Sequence, residues 1–121
     1  MNAEGAPGRM EGAGRADGSV AFTPRERALF GDREVFAVKA RLGEKIREAL
    51  QVLHERLREE CRLVTLAAPE GFDPDKFQLV RGEHLEHHPY QYLDYPKHFQ
   101  DGCTFTFRTL VWWGHHVVCA W

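Results

Sequence analysis

The strongest constraint on the fold is a repeating pattern of apolar residues in the middle of the chain. From Arg33 onward, apolar side chains recur at spacings of three or four: Val35, Val38, Leu42, Ile46, Ala49, Leu50, Leu53 and Leu57. This spacing places them on one face of a helix of roughly seven to eight turns, whose other faces are charged. Gly43 lies inside the pattern, where it costs on the order of 1 kcal/mol relative to alanine. It either marks close packing against another element or is merely tolerated.

Before this helix, short signals predict a second, shorter one. Thr23 and Glu26 have the spacing of a capping box, and a proline follows Thr23 at the first helical position. A helix of about two turns is expected to begin here. We expect Gly31 to end it, because glycine tolerates a left-handed C-cap, and Asp32 to cap the long helix.

The first twenty residues differ from the rest of the chain. Residues 1–20 are rich in glycine and alanine and contain no aromatic residue. They cannot bury enough apolar surface to offset the entropy of ordering, so we predict a disordered tail. Residues 21–121 are then expected to form a single domain, since a chain of 121 residues leaves no room for a second core.

The second half of the chain has the character of a β-sheet. Of the 14 aromatic residues, 11 lie between Phe72 and Trp121. Four segments have strand composition: residues 76–82, 89–95, 103–113 and 116–121. Their connections are too short for parallel crossovers, so the predicted fold is α+β, with the long helix packed on a small antiparallel sheet of about four strands.

The third predicted strand alternates in its side chains, so its two faces can be predicted. One set is expected to meet the helix: Cys103, Phe105, Phe107, Val111 and Trp113. The opposite set is Thr104, Thr106, Arg108, Leu110 and Trp112. The aromatic residues of the first set are the expected core.

Composition excludes several classes of function. The formal charge is −2, from 16 basic and 18 acidic residues, so there is no overall field to attract nucleic acid. No apolar run approaches the roughly 20 residues that span a membrane, and the N-terminus lacks a signal-peptide core, which favours a cytoplasmic protein. The cysteines Cys61, Cys103 and Cys119 have no CxxC spacing and are expected to be reduced and partly buried.

Histidines are numerous, and five of the seven lie in two clusters, residues 84–88 and 115–116. Imidazole is a common zinc ligand, so His84, His88 and His116 are candidates for a metal site. The alternative, which we favour, is that they are turn residues without a cofactor. Adjacent histidines in a strand point to opposite faces, so only one of each pair can serve a common site.

Two charged residues lie among aromatic residues in predicted strands. An isolated charge would be costly there, so we predict that Asp94 and Arg108 form a bidentate ion pair across the sheet. In the alternative, Arg108 binds a carboxylate or phosphate of a ligand. Tyr92, Tyr95 or Trp112 would then line the pocket.

One set of motifs resembles a known family. The pattern PYxxLDYP at residues 89–96 precedes Phe99, and FxxRT at residues 105–109 precedes WWG at residues 112–114. Together they resemble a family of small, uncharacterised bacterial proteins over roughly residues 35–121. The resemblance implies no activity, cofactor or catalytic residues. Members usually continue past WWG and do not carry the histidine pairs in this way, which weighs against a metal site.

Three functions compete. The first is a non-enzymatic module that binds a small ligand or a protein through an aromatic sheet surface, with Asp94, Arg108, Tyr92, Tyr95, Trp112, His115 and His116 as candidate binding residues. The second is a small metal-dependent or acid–base enzyme that uses the histidines with Asp94. The third is a self-associating component, in which the helix stripe, extended by Phe36 and Val52, packs on a second copy. The sequence favours binding or assembly over catalysis, because no catalytic motif is present.

Overall fold

The structure is a computed structural model that describes residues 18–121, apart from the side chain of Val64. The predicted disordered tail lies outside the described residues, except for residues 18–20. The architecture is α+β, as predicted. Contacts divide the described chain into two compact units, one that ends at Ala40 and one of Arg41–Trp121.

The first unit contains helix α1, Pro24–Phe30, and the beginning of helix α2, Arg33–Glu60. The capping box is confirmed, because Glu26 N–H donates to Thr23 Oγ1 at 3.1 Å and Thr23 N–H donates to the Glu26 carboxylate at 2.7 Å. Asp32 caps α2 by accepting from the backbone N–H groups of Glu34 and Val35. Gly31 ends α1 as predicted, but the expected left-handed conformation is wrong, because its φ is −87°.

The second unit contains the rest of α2, a short 3₁₀ helix, Leu63–Thr65, and the strands. Its core is formed by Leu50 of α2 with Leu93 and Tyr95 of the sheet region. Further apolar side chains pack around these three: Ile46, Leu53, Leu57, Leu63, Leu79 and Val111. The helix stripe therefore meets the sheet from Ile46 onward, and each fully buried side chain contributes about 1.5–3 kcal/mol. The first three residues of the predicted stripe, Val35, Val38 and Leu42, are instead 40–43% exposed.

The strands form two sheets in the described chain. They are β1 (Gln78–Leu85), β2 (His88–Asp94), β3 (Phe99–Gln100), β4 (Cys103–Thr104), β5 (Arg108–Trp112) and β6 (Val117–Ala120). The larger sheet has the antiparallel order β1-β2-β5-β6, and β3 pairs with β4 in a small hairpin. We call the side of the larger sheet that carries Leu79, Leu93 and Val111 the inner face, because these residues pack on α2.

The third predicted strand is not continuous, which corrects the prediction of one strand over 103–113. It is split into β4 and β5, and residues 105–107 make isolated bonds instead, such as Tyr95 N–H to Phe107 O at 2.9 Å. The opposing segment contains Pro96, which has no N–H to donate to a regular ladder.

This break changes which residues meet the helix. Val111 lies on the inner face as predicted, whereas Cys103 is exposed. Phe105 and Phe107 are half-buried against Trp121, each with a ring-centroid distance of 5.4 Å. They form a separate aromatic contact, and Trp121 itself is 70% exposed.

Candidate functional site

The side of the sheet opposite α2 carries most of the predicted binding residues. Because directly paired residues of neighbouring strands share a face, the pairings Tyr90 with Trp112, Tyr92 with Leu110, and Asp94 with Arg108 put all six side chains on one side. We call this side, defined by Tyr90, Tyr92, Asp94, Arg108, Leu110 and Trp112, the outer face. Asp94 is fully buried there, and the other five side chains are half-buried.

The predicted Asp94–Arg108 ion pair is confirmed. Arg108 Nε donates to Asp94 Oδ1 at 2.7 Å, and Nη2 donates to Oδ2 at 2.8 Å. The carboxylate is only 1% exposed, so this two-point contact compensates an otherwise costly buried charge. Hydrogen bonding to Asp94 raises the pKa of the Arg108 guanidinium. Both carboxylate oxygens of Asp94 are thus engaged by one guanidinium.

Aromatic rings continue from the ion pair along the outer face. The Arg108 guanidinium lies over the Tyr92 ring, 3.9 Å from its centroid. The Tyr92 ring is nearly parallel to the Tyr90 ring, at 6.1 Å and an angle of 4°. Tyr90 in turn lies across Gly82 of β1, where a Cβ atom would come within 2.2 Å of Tyr90 Cζ. Gly82 therefore provides the space in which the tyrosine ring lies flat on the sheet.

A second aromatic group lies where the turn between β1 and β2 meets the turn between β5 and β6. Trp112 donates from Nε1 to Leu85 O at 3.0 Å, and the His115 ring stacks on the Trp112 ring at 3.7 Å. His88 reaches the same place, with 3.4 Å between its Nδ1 atom and His115 Nε2. His116 contacts Trp112 more distantly, at a centroid separation of 5.8 Å. His88, His115 and His116 thus form a surface cluster around one tryptophan. The expectation of turn residues is right for His116 but wrong for His84 and His88, which lie in β1 and β2.

The zinc alternative requires three ligands to converge. Within residues 18–121, no group of three or more His, Cys, Asp or Glu side chains is arranged to hold a metal ion. His88 meets His115 rather than the proposed partners His84 and His116. Its Nδ1 atom also lies 2.7 Å from Glu86 O, a contact that requires a proton on that nitrogen.

Tyr95 does not join the other predicted binding residues. It is 3% exposed and lies in the core, because residues 92 and 95 are an odd number of positions apart and so point to opposite faces. Burial, and secondarily the nearby Asp75 carboxylate, raises the pKa of Tyr95. It lines an apolar cavity of about 220 Å³ with Leu57, Cys61, Leu63, Pro96, Phe107 and Trp121.

Sequence reasoning missed His54, which packs beside Tyr95. Its ring stacks on Phe77 at 3.9 Å and meets the Tyr95 ring edge-on at 4.6 Å. Among the described side chains, its Nε2 atom is buried without a hydrogen-bond partner. Burial, with help from the Arg58 charge, lowers the pKa of His54. The available signal was its position four residues after Leu50, on the edge of the helix stripe.

Two further cavities flank α2. One, of about 140 Å³, lies beside Gly43, Arg81 and Gln91. Gln91 Nε2 donates to Gly43 O at 2.9 Å, and the Arg81 guanidinium lies 3.5 Å from where a Gly43 Cβ would be. Gly43 is therefore in contact with another element, but at a distance that leaves room for a methyl group. The other, of about 290 Å³, is lined by Leu42, Ile46, Val111, Trp112, Trp113, Gly114, His115, His116 and Val117.

The cysteines differ from their expected environment. Cys61, Cys103 and Cys119 carry free thiols, but all three are exposed rather than partly buried. Cys61 directly follows α2, Cys103 lies in the two-residue strand β4, and Cys119 lies in the last strand of the sheet order. All three cysteines lie at the ends or edges of secondary-structure elements. The expectation of partial burial relied on the small size of cysteine, which does not indicate where in an element a residue lies.

Comparison with known proteins adds no relative. No family model matches this chain, and no curated protein or solved structure matches it either. The resemblance to the small bacterial family therefore stays a prediction. In the described part of the chain, no helix is long and apolar enough to cross a membrane.

Proposed function

We propose that this chain is a non-enzymatic binding module whose outer face takes a protein partner. The proposal depends on one observation: Tyr90, Tyr92, Arg108 and Trp112 lie half-buried on the side of the sheet that faces away from α2. The contacts described for these side chains come from the sheet and its own turns. Tyrosine, tryptophan and arginine are the residues that most often dominate binding energy at interfaces.

The shape of the outer face favours a protein over a small molecule. Four strands and five residues per strand span roughly 14 by 17 Å, which suits the centre of a protein interface. Small ligands usually need a concave site. Of the six outer-face residues, Trp112 lines one of the three cavities described above and the other five line none of them.

The electrostatics of the outer face favour a neutral partner surface. Asp94 neutralises Arg108, so the pair offers little net attraction to a free carboxylate or phosphate. A guanidinium has five N–H donors and Asp94 accepts from two groups, which leaves donors for carbonyl oxygens of a partner. Arg108 is 42% exposed, so these donors are accessible beside the flat Tyr92 ring.

A cytoplasmic location remains part of the proposal. The three cysteines are exposed and unpaired, a condition that persists most readily in a reducing compartment.

Site-specific photocrosslinking in cells tests the proposal. A photoreactive amino acid at Leu110, between Tyr92 and β6, should give discrete protein adducts. The same probe at Gln51, exposed on α2, is the matched control. Adding Tyr92→Leu keeps an apolar side chain but removes the ring, so the adducts should be lost while circular dichroism shows an unchanged fold. Adducts that persist in Tyr92→Leu, or appear equally from Gln51, would refute this function.

A further inference from the structure

The first unit exposes an unusual amount of apolar surface. Between residues 18 and 40, seven large apolar side chains are at least 40% exposed: Val20 63%, Phe22 61%, Leu29 52%, Phe30 86%, Val35 40%, Phe36 51% and Val38 42%. We call these seven residues the N-terminal apolar surface. Val35 and Val38 are one helical turn apart on α2, so they share a face of that helix.

The exposed area is large enough for a stable interface. Aromatic side chains present about 150–250 Å² each and aliphatic ones somewhat less, so the exposed fractions of these seven side chains amount to roughly 700 Å². Each partner in a standard interface contributes about 800 Å². The N-terminal apolar surface thus has the area that one side of a dimer needs.

The preceding segment of the chain is a poor candidate to cover this surface. Residues 1–17 contain no Leu, Ile, Val or aromatic residue, and their apolar content is alanine, one proline and two methionines. A segment of this composition has too little apolar area to match seven large side chains.

The charges of the same unit are compatible with a second copy. Residues 18–40 contain four basic residues, Arg25, Arg27, Arg33 and Lys39, and three acidic ones, Glu26, Asp32 and Glu34. Two identical surfaces with nearly balanced charge do not repel each other, and neither sign selects a strongly acidic or basic partner. In a two-fold contact between identical copies, the apolar residues of one copy meet the apolar residues of the other, so no different protein is needed.

We infer that two copies of this chain associate through their N-terminal apolar surfaces, α1 and the start of α2 of one copy packing on the same elements of the other. This inference does not rest on the outer face of the sheet. A two-fold homodimer would leave that face of each copy available for a different partner.

Sedimentation velocity on the full chain, from about 1 to 200 μM, tests the inference. The wild type should sediment as a dimer at the upper concentrations. Phe30→Lys should weaken association by at least about a hundredfold, because the two-fold axis removes the same anchor from both copies. Phe30 is 86% exposed, so its replacement should leave the fold of the single copy intact, as circular dichroism can verify.

Two control variants assign the interface. Val52→Lys introduces the same charge at a valine that is 55% exposed on α2 but lies in the second unit, and it should leave the dimer unchanged. Tyr92→Leu changes the outer face and should also leave it unchanged. A monomer at all concentrations overturns the inference, as does a dimer that is lost in Val52→Lys or Tyr92→Leu but kept in Phe30→Lys.

Discussion

Because Tyr90 lies on Gly82, we expect Gly82→Ala to lower the free energy of unfolding in the wild type but to raise it when Tyr90 is also replaced by alanine. Gly82 and Tyr90 are direct cross-strand partners, and the tyrosine ring occupies the space above the glycine. In wild type, Gly82→Ala places a methyl group 2.2 Å from Tyr90 Cζ and 2.4 Å from the hydroxyl oxygen. Carbon atoms normally stay about 3.5–4.0 Å apart, so the ring must rotate away from the sheet.

The magnitude follows from two opposing effects. Displacing a well-packed ring costs about 1–3 kcal/mol, so Gly82→Ala should destabilise the wild type by that amount. In a Tyr90→Ala background the space above residue 82 is empty, and replacing glycine in a strand then stabilises by about 0.5–1 kcal/mol. The two changes should therefore be coupled by roughly 1.5–4 kcal/mol, far above the few tenths found between independent sites.

Urea unfolding of the four chains in this double-mutant cycle provides the measurement. With a slope of about 1–3 kcal/mol per molar urea, a coupling of 2 kcal/mol corresponds to roughly 1 M in the midpoint. Gly82→Ala should lower the midpoint in wild type and raise it in Tyr90→Ala, with the slope unchanged. An equal effect in both backgrounds would show that the ring does not lie on Gly82 in solution.

Three further outcomes are expected. Arg108→Leu should lower the free energy of unfolding in urea by about 2–4 kcal/mol, because it leaves the buried Asp94 carboxylate unpaired. Adding Asp94→Asn should recover most of that loss. If Arg108→Leu were as stable as the wild type, Asp94 and Arg108 would not form a buried ion pair in solution. Burial lowers the pKa of His54 in the folded chain, whereas its pKa in the unfolded chain is near 6.5. As pH drops below about 6.5, the unfolded chain takes up the proton first, so the free energy of unfolding should fall. His54→Phe should flatten this pH dependence and raise the melting temperature at pH 7. Gly43→Ala should raise the free energy of unfolding by about 0.5–1 kcal/mol, since the new methyl meets the Arg81 guanidinium at an ordinary 3.5 Å, whereas a loss would indicate tighter packing.

Helix α2 and the Asp94–Arg108 pair were both predictable from the local sequence. Helix periodicity needs only the residues of the helix itself, and the cost of an unpaired charge in an apolar strand identifies its partner when only one opposite charge is near. The capping box at Thr23 is local in the same sense. These elements could be predicted because each depends on neighbours in sequence or on one strong energetic penalty.

The interruption of the third predicted strand and the environment of His54 depend on contacts between residues that are distant in sequence. The alternation from Cys103 to Trp113 is unbroken in sequence, yet the strand is interrupted, because the opposing segment contains Pro96. The position of His54 at the edge of the helix stripe was visible in the sequence, but its environment was not, since that comes from Phe77 and Tyr95. The exclusion of Tyr95 from the site, by contrast, was available from strand periodicity.

Tyr90, Tyr92 and Arg108 form a stacked row on the outer face, and this row bears on the rates at which a partner would bind and dissociate. Tyr92 is held between the Tyr90 ring and a guanidinium that Asp94 fixes at two points, so its rotamer is already set before a partner arrives. A partner that docks there pays little side-chain entropy and requires little backbone movement. Variants that loosen the row should therefore change the lifetime of a complex more than the rate at which it forms.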